Sequence, residues 1–327
     1  MHLYFARPLQ TLARVSSALL LVSFAQAAAA TPYRFDDLLP APAAGVFKPR
    51  DLNDAGLVVG GYDDGFRRRG FLYQDGFYTT VLGNTGTLAI EPRGVNDAGQ
   101  VAGYYTDLVL SSYSLGFLLD RGTLSLFNGA EPWGTDIGGI NNVGQIVGWN
   151  PIGLFGAGFI YTPASHQLAR LDGIDLLPAD INDAGDLVGR QQYYIVSDDG
   201  TFTTGVRAAT YEDGSYHLID VPGAQQDQVL PYGINNAGAV SGSFIDAVGS
   251  HGFVFEDGRV SVLDAPGAVP GTTQVFGINN RGQVAGFFVD DEGMTRGFIA
   301  SPVPEPTSAA LMLVGLVGLG LRLRRRS

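Results

Sequence analysis

The chain has 327 residues, with 45% hydrophobic and only 16% charged residues, 46 glycines, 17 prolines and no cysteine. That apolar content excludes a wholly disordered chain, and the missing cysteine excludes disulfides, zinc-thiolate sites and a cysteine nucleophile. The formal charge of −12 argues against a nucleic-acid partner. Six of the 20 basic residues lie at the two termini, which leaves residues 31–303 at −17.

The N-terminus has the three parts of a secretory signal over residues 1–30. Arg7 and Arg14 supply the positive region, Ser17 to Phe24 the apolar stretch, and Ala25-Gln26-Ala27 a small-residue cleavage site, with Ala30 the alternative. The apolar stretch is too short for a retained membrane helix. Export is therefore predicted.

An orphan strand, Tyr33 to Leu38, precedes a repeat that fills the body. Asn-(Asp/Asn)-x-Gly occurs six times, at Asn53–Gly56, Asn96–Gly99, Asn141–Gly144, Asn182–Gly185, Asn235–Gly238 and Asn279–Gly282. The asparagines are 43, 45, 41, 53 and 44 residues apart. Asparagine first and glycine fourth suit a type I turn whose last residue needs positive φ. A short apolar strand follows each turn and ends in glycine. Next comes Gly-Phe, at Gly70-Phe71, Gly116-Phe117, Gly158-Phe159, Gly252-Phe253 and Gly297-Phe298, with Ala208-Ala209 in repeat four. Hairpin signals Asp75-Gly76, Asp213-Gly214 and Asp257-Gly258 then lead into a last strand. Asp220–Ala224 and Asp264–Ala268 are near-identical connections between repeats.

One unit is thus about four antiparallel strands in roughly 44 residues, the size of a propeller blade. The sixth repeat lacks its final strand, and the first has a spare strand ahead of it. These features predict an all-β, six-bladed propeller over 31–303, closed by the N-terminal strand; an open β-solenoid is the alternative.

The repeat breaks in one place. From turn asparagine to Gly-Phe takes 17 residues in repeats one, three and five, 18 in six, 20 in two and 26 in four. The excess in repeat four lies between Arg190 and Arg207 and carries Tyr193, Tyr194, Asp198 and Asp199. Insertions on repeat folds gather on one face and bind ligands. Tyr193 and Tyr194, with the only two tryptophans, Trp133 and Trp149, are the predicted ligand-binding residues, suited to stacking on sugar rings.

Catalytic chemistry is not visible. His166, His217 and His251 share no metal-ligand spacing, and neither a Gly-x-Ser-x-Gly elbow nor a phosphate loop occurs. Asp54, Asp97, Asp183, Asp75, Asp213 and Asp257 sit in turns, where their recurrence marks them as hairpin builders. No catalytic or metal residue is assigned. Calcium at the acidic turns is the single cofactor left open, with too few oxygens per turn for a full shell.

After the body come Val303-Pro304-Glu305-Pro306, an apolar run from Thr307 to Leu321, and arginines 322, 324, 325 and 326. The run is shorter than the roughly 20 residues that cross a bilayer squarely. The arginines hold its end in the cytoplasm and leave 31–303 outside. Pro304 and Pro306 keep the motif extended and reachable. This order of parts resembles the PEP-CTERM sorting signal. The resemblance implies an exosortase-type membrane protease as partner and processing at Pro304, Glu305 and Pro306. It also implies a transient inner-membrane anchor over 307–321 and delivery to the cell envelope or extracellular matrix.

The Asn-turn plus Gly-Phe pattern resembles the HAF-repeat family of exported bacterial proteins. His251-Gly252-Phe253 comes nearest its naming triplet, and no histidine role carries over. An ice-binding surface would need a Thr-x-Thr array that the repeats lack. The expected function is a non-enzymatic surface or matrix module binding exopolysaccharide or another envelope component. The alternative is a propeller glycoside hydrolase or lyase acting on that polysaccharide.

Overall fold

The computed structural model describes residues 32–37, 46–65, 68–81, 88–107, 114–129, 134–152, 155–196 and 199–303. The signal segment with Ala25, Ala27 and Ala30, the sorting motif Pro304–Pro306, the 307–321 run and Trp133 all lie outside the described residues.

Twenty-four strands form six four-stranded antiparallel sheets. The first strand, β1 (Tyr33–Asp37), stands apart from its neighbours in sequence. Blade 1 is β2 (Phe47–Leu52), β3 (Val58–Asp63), β4 (Arg68–Gln74) and β5 (Phe77–Val81). Blade 2 is β6 (Leu88–Val95), β7 (Val101–Asp107), β8 (Ser114–Asp120) and β9 (Thr123–Phe127). Blade 3 is β10 (Asp136–Ile140), β11 (Ile146–Ile152), β12 (Phe155–Thr162) and β13 (Gln167–Arg170). Blade 4 is β14 (Leu176–Ile181), β15 (Leu187–Val196), β16 (Phe202–Glu212) and β17 (Ser215–Leu218). Blade 5 is β18 (Val229–Ile234), β19 (Val240–Ile245), β20 (Ser250–Glu256) and β21 (Arg259–Leu263). Blade 6 is β22 (Gln274–Ile278), β23 (Val284–Val289) and β24 (Thr295–Pro302), and its outer place is taken by β1, antiparallel to β24 from Tyr33↔Pro302 to Asp37↔Phe298. The N-terminal strand therefore closes the ring, and the open solenoid is excluded.

Turn chemistry dictates this strand order. The six turn glycines have φ between 72° and 91°, and each donates its N–H to the carbonyl of the asparagine three residues before it. The Asp-Gly hairpins have positive φ at both central residues, as at Asp75 (51°) and Gly76 (88°), the signature of a type I′ turn. Gly-Phe has a steric cause. Phe71, Phe117, Phe159, Phe253 and Phe298 are at most 1% exposed, and each pairs across strands with a glycine: Gly60, Gly103, Gly148, Gly242 and Gly286. A Cβ on Gly60 would lie 2.8 Å from the Phe71 ring, so the ring lies flat on bare backbone. In blade 4 the pair becomes Gly189↔Ala209.

The core is divided among the blade interfaces. One cluster, for example, joins Val188 and Ala208 of blade 4 to Ile234, Val240, Phe244 and Phe253 of blade 5. Each blade thus buries its apolar face on its neighbour, and no blade is complete alone.

Strand alternation sorts the loops. The Asn turns and the hairpins between third and outer strands fall on one face of the disc. The second-to-third-strand loops and the connections between blades fall on the other.

Candidate functional site

The innermost strand of every blade carries the residues that meet at the axis. In each one the register shifts just before the turn, as between Pro49 and Asp51 or Pro178 and Asp180. A bulge re-aims side chains that strict alternation would send to opposite sides. Here it turns two consecutive positions, three and two residues before the turn asparagine, toward the channel. Proline just ahead of the bulge, at Pro49, Pro92, Pro178 and Pro231, is tolerated because this strand is an edge.

At the turn face the channel is narrow. The asparagines of the six turns are 3–6% exposed. Each donates from Nδ2 to the carbonyl of the next blade's asparagine: Asn53 to Asn96, 2.9 Å; Asn96 to Asn141, 3.1 Å; Asn141 to Asn182, 3.0 Å; Asn182 to Asn235, 3.4 Å; Asn235 to Asn279, 3.1 Å; Asn279 to Asn53, 3.2 Å. Each Oδ1 meanwhile accepts from its own turn, as from the Leu57 N–H at 2.9 Å. A second ring lies outside the first. The N–H of each following residue donates to the side-chain oxygen of its counterpart one blade on, through Asp54, Asp97, Asn142, Asp183, Asn236 and Asn280, at 2.7–2.9 Å. The acids predicted to build hairpins also join blades.

Two residues before each asparagine stand Asp51, Gly94, Gly139, Asp180, Gly233 and Gly277. The two aspartates are three blades apart and so face each other across the axis. With the residues of both rings they line a pocket of about 50 Å³, with room for water but not for a sugar. Asp51 accepts from the Val95 N–H at 2.8 Å, and Asp180 from the Ile234 N–H at 3.0 Å. The glycines are the space these carboxylates fill: a Cβ on Gly139 would lie 1.9 Å from Asp180 Oδ1, and one on Gly277 2.1 Å from Asp51 Oδ1. Burial raises both carboxyls well above the ordinary range, the charge of Asp180 raises Asp51 further, and the backbone N–H donors offset part of this.

Toward the opposite face the channel widens into a funnel of about 380 Å³. Its neck is the position three before each asparagine: Arg50, Arg93, Gly138, Ala179, Tyr232 and Phe276. Cations occupy the neck in blades 1 and 2, small residues in blades 3 and 4, and aromatic rings in blades 5 and 6. Trp149, Arg190 and Asp136 line the wall. A side recess of about 140 Å³ adds Lys48, Arg68 and Glu91. Five of the body's 14 basic residues therefore gather at one mouth of a strongly acidic protein.

The acids there are already engaged. Glu91 receives Arg68 at 2.7 Å, the Tyr104 hydroxyl at 2.7 Å, and lies 3.5 Å from Arg93. Burial alone would raise its carboxyl, but Arg93, the Tyr104 hydrogen bond, Arg50 and Arg68 bring it below the usual range. Asp136, 3.9 Å from Arg93, is raised by burial and by Glu91 against the pull of Arg93. Arg93 also donates to Tyr104 at 3.1 Å, while its buried Nε has no acceptor among the described residues.

Arg50 differs from all of these. Its guanidinium lies 4.5 Å over the Phe276 ring and has no hydrogen bond or ion pair with any described residue. Burial, then the charge of Arg93, pushes it down to about 10.

The predicted ligand residues separate. Trp149 lines the funnel. The insert in repeat four is an extended hairpin, paired as far as Val196↔Phe202. Alternation along β15 divides its tyrosines. Tyr194 shares a face with Arg190 and Gln192, about 13 Å beyond Arg190, and is 65% exposed. Tyr193 points the other way, donates to Asp227 at 3.1 Å and carries Arg207 at 5.1 Å from its ring. Tyr193 is thus occupied by a structural contact with the connection into blade 5. Arg50, Arg93, Arg190, Tyr232, Asp51 and Asp180 were missed in the sequence, although alignment on the turn asparagines lines them up. Among the described residues no cluster of three or more His, Asp or Glu has metal-site geometry.

A family model for the PEP-CTERM protein-sorting motif matches residues 302–326. No curated protein matches the chain. Among solved structures, a putative TolB from Agrobacterium tumefaciens is similar at a TM-score of 0.50 and 13% identity, covering 80% of this chain and 91% of that one. TolB from Acinetobacter baumannii gives 0.45 at 14% identity over 72% of this chain, which spans 60% of that chain's length. A catalytically inactive virginiamycin B lyase from Staphylococcus aureus, solved with quinupristin, gives 0.43 at 12% identity over 83% of this chain and 100% of that one. These likenesses concern the fold alone; the sorting motif marks an exported protein, and its six four-stranded sheets make the body a six-bladed propeller.

Proposed function

We propose that this chain is an exported, envelope-associated binding module that takes a saccharide of the exopolysaccharide or cell envelope into its funnel. The observation that carries the reading is the funnel neck, where Arg50 and the buried Nε of Arg93 have no acceptor among the described residues, beside the rings of Tyr232 and Phe276. Aromatic faces with a few convergent polar groups are what a saccharide site needs. The sorting motif supports processing by an exosortase-type protease near Pro304–Pro306, which frees the propeller from its transient inner-membrane anchor. The test is titration of the full-length protein with a panel of bacterial exopolysaccharides, in a Trp133→Phe background so that fluorescence reports Trp149. Saturable change that is weakened by Tyr232→Ala supports the module. A folded protein that binds no glycan overturns it.

One observation favours turnover as a second reading. Asp136 is raised and Glu91 lowered beside the same Arg93, and paired carboxyls driven apart in this way suit acid–base roles. Release of new sugar ends, abolished by Asp136→Asn with binding retained, would establish a hydrolase or lyase in place of the module.

A further inference from the structure

We infer that the ligand is acidic, and that the funnel neck takes the carboxylate of a uronic acid residue on the Arg50 guanidinium. This inference rests on the binding reading above and names the chemistry of the same site.

A guanidinium has five N–H donors in a fixed fork and no acceptor capacity. Removed from bulk water without a partner it is costly, and a bidentate carboxylate is the acceptor that matches its geometry. Arg50 is half-buried, feels the charge of Glu91 without a hydrogen bond or ion pair to any described residue, and lies 4.5 Å over the Phe276 ring, whose face satisfies none of the in-plane donors. The nearby carboxylates are turned to other groups: Glu91 to Arg68 and Tyr104, Asp136 toward Arg93. Arg93 adds a buried Nε with no acceptor among the described residues. Across the axis Ala179 faces Arg50, and Gly138 stands between Arg93 and Ala179, so these two small residues leave the volume that a sugar ring would fill. Tyr232 and Phe276, with ring centroids 4.7 Å apart, border that space on a third side. Arg190 stands on the far wall, toward a second acidic residue of a polymer. The rest of the body is acidic, so it repels anions and leaves this mouth as the place where one is held.

The competing explanation is that Arg50 serves the fold by lying on Phe276. The two accounts predict opposite signs for stability. A structural cation–π contact makes Arg50→Met destabilising. A half-buried guanidinium with no ion-pair partner, its donors left to the funnel, makes the same change neutral or stabilising.

The experiment titrates the full-length protein, wild type, Arg50→Met and Arg50→Lys, with four probes: a glucuronate-containing oligosaccharide, a neutral gluco-oligosaccharide of equal length, its sulfated form, and inorganic phosphate. Denaturant unfolding is measured on each variant. The glucuronate probe is expected to bind wild type at least about ten-fold more tightly than the neutral one, the worth of one charge-assisted hydrogen bond. Added salt should narrow that preference. Arg50→Met should abolish the preference while unfolding no more easily than wild type. Arg50→Lys, which keeps the charge without the fork, should lose most of it. Equal binding of neutral and acidic probes overturns the acidic assignment and leaves the binding module standing. Tighter binding of the sulfated probe or phosphate than of glucuronate overturns the carboxylate. Binding of none of the four, with none from the exopolysaccharide panel either, removes the module and this inference together. A destabilised Arg50→Met that still distinguishes the probes assigns Arg50 to the fold and overturns its role here.

Discussion

Asn235 and Asn236 are neighbours in one turn, yet the two rings give them different weight. Asn235 is 6% exposed; its Oδ1 accepts from the N–H groups of Ala237 and Ala239, both at 3.0 Å, and its Nδ2 donates to the Asn279 carbonyl at 3.1 Å. Asn235→Ala strands the buried Ala239 N–H and removes one of the two donors of the Asn279 carbonyl, which keeps the Gly282 N–H, while Ala237 turns to water. A stranded buried group costs about 1–3 kcal/mol and a lost hydrogen bond about 0.5–1.5, so the expected loss is roughly 2–4 kcal/mol, a large share of an ordinary stability of about 5–15 kcal/mol. Asn236 makes two bonds as well, to the Asp183 N–H at 2.9 Å and to the Asp183 carboxylate at 2.6 Å, but it is exposed. Water replaces both, and Asn236→Ala should cost less than about 1 kcal/mol. Asn235→Asp separates turn from ring: it keeps the acceptor for the turn and places a carboxylate oxygen against the Asn279 carbonyl. Its penalty should shrink as pH falls, because a protonated carboxyl donates where the amide did. Urea unfolding followed by circular dichroism measures all three variants. An Asn235→Ala loss no larger than that of Asn236→Ala would refute the claim that the inner ring holds the blades together.

Gly277→Ala drives a Cβ to 2.1 Å from Asp51 Oδ1 and 2.7 Å from its Cα. It should cost about 3 kcal/mol, against about 1 kcal/mol for Gly238→Ala, where φ is +78° and the space is open; equal unfolding midpoints would contradict this. The raised carboxyls set a pH slope. Asp180 is pushed up to about 7, above its unfolded value of about 3.9, so the folded state binds more protons between these limits. Stability should therefore fall as pH rises from about 4 to 7, and Asp180→Asn should flatten that slope in unfolding curves taken across the range. Deleting Tyr33–Asp37 bares the β24 edge; light scattering should show association and unfolding should begin at lower denaturant, whereas a monomer of unchanged stability would argue against the strand as the ring's clasp.

The propeller was legible because its instructions are local. Asparagine and glycine three apart, Asp-Gly pairs, and Gly-Phe each fix a turn or a strand pairing within a few residues, and their recurrence counts the blades. The funnel was not legible for a physical reason. Alternation sends consecutive strand residues to opposite sides, so Arg50 and Asp51 do not look like two lining residues until the bulge turns both inward. Gly139 and Gly277 look like flexible punctuation and are in fact the space left for two carboxylates. Trp149 was found by residue type and does line the funnel. Tyr193 was found by the length of its insert, a signal that locates the hairpin but not which way each side chain points.

The inner ring has one unusual link. Five of its six bonds join asparagines 41–53 positions apart, while the bond from Asn279 to Asn53 joins positions 226 apart. By loop-closure entropy that seam costs roughly 1.4 kcal/mol more to shut than any other. The strand that clasps it, β1, leaves the ribosome first and finds its partner only when β24 has been made. Closure of the ring thus waits for the last blade, which converts a row of hairpins into a disc. The seam between blades 6 and 1 is where heat or force should part the finished ring.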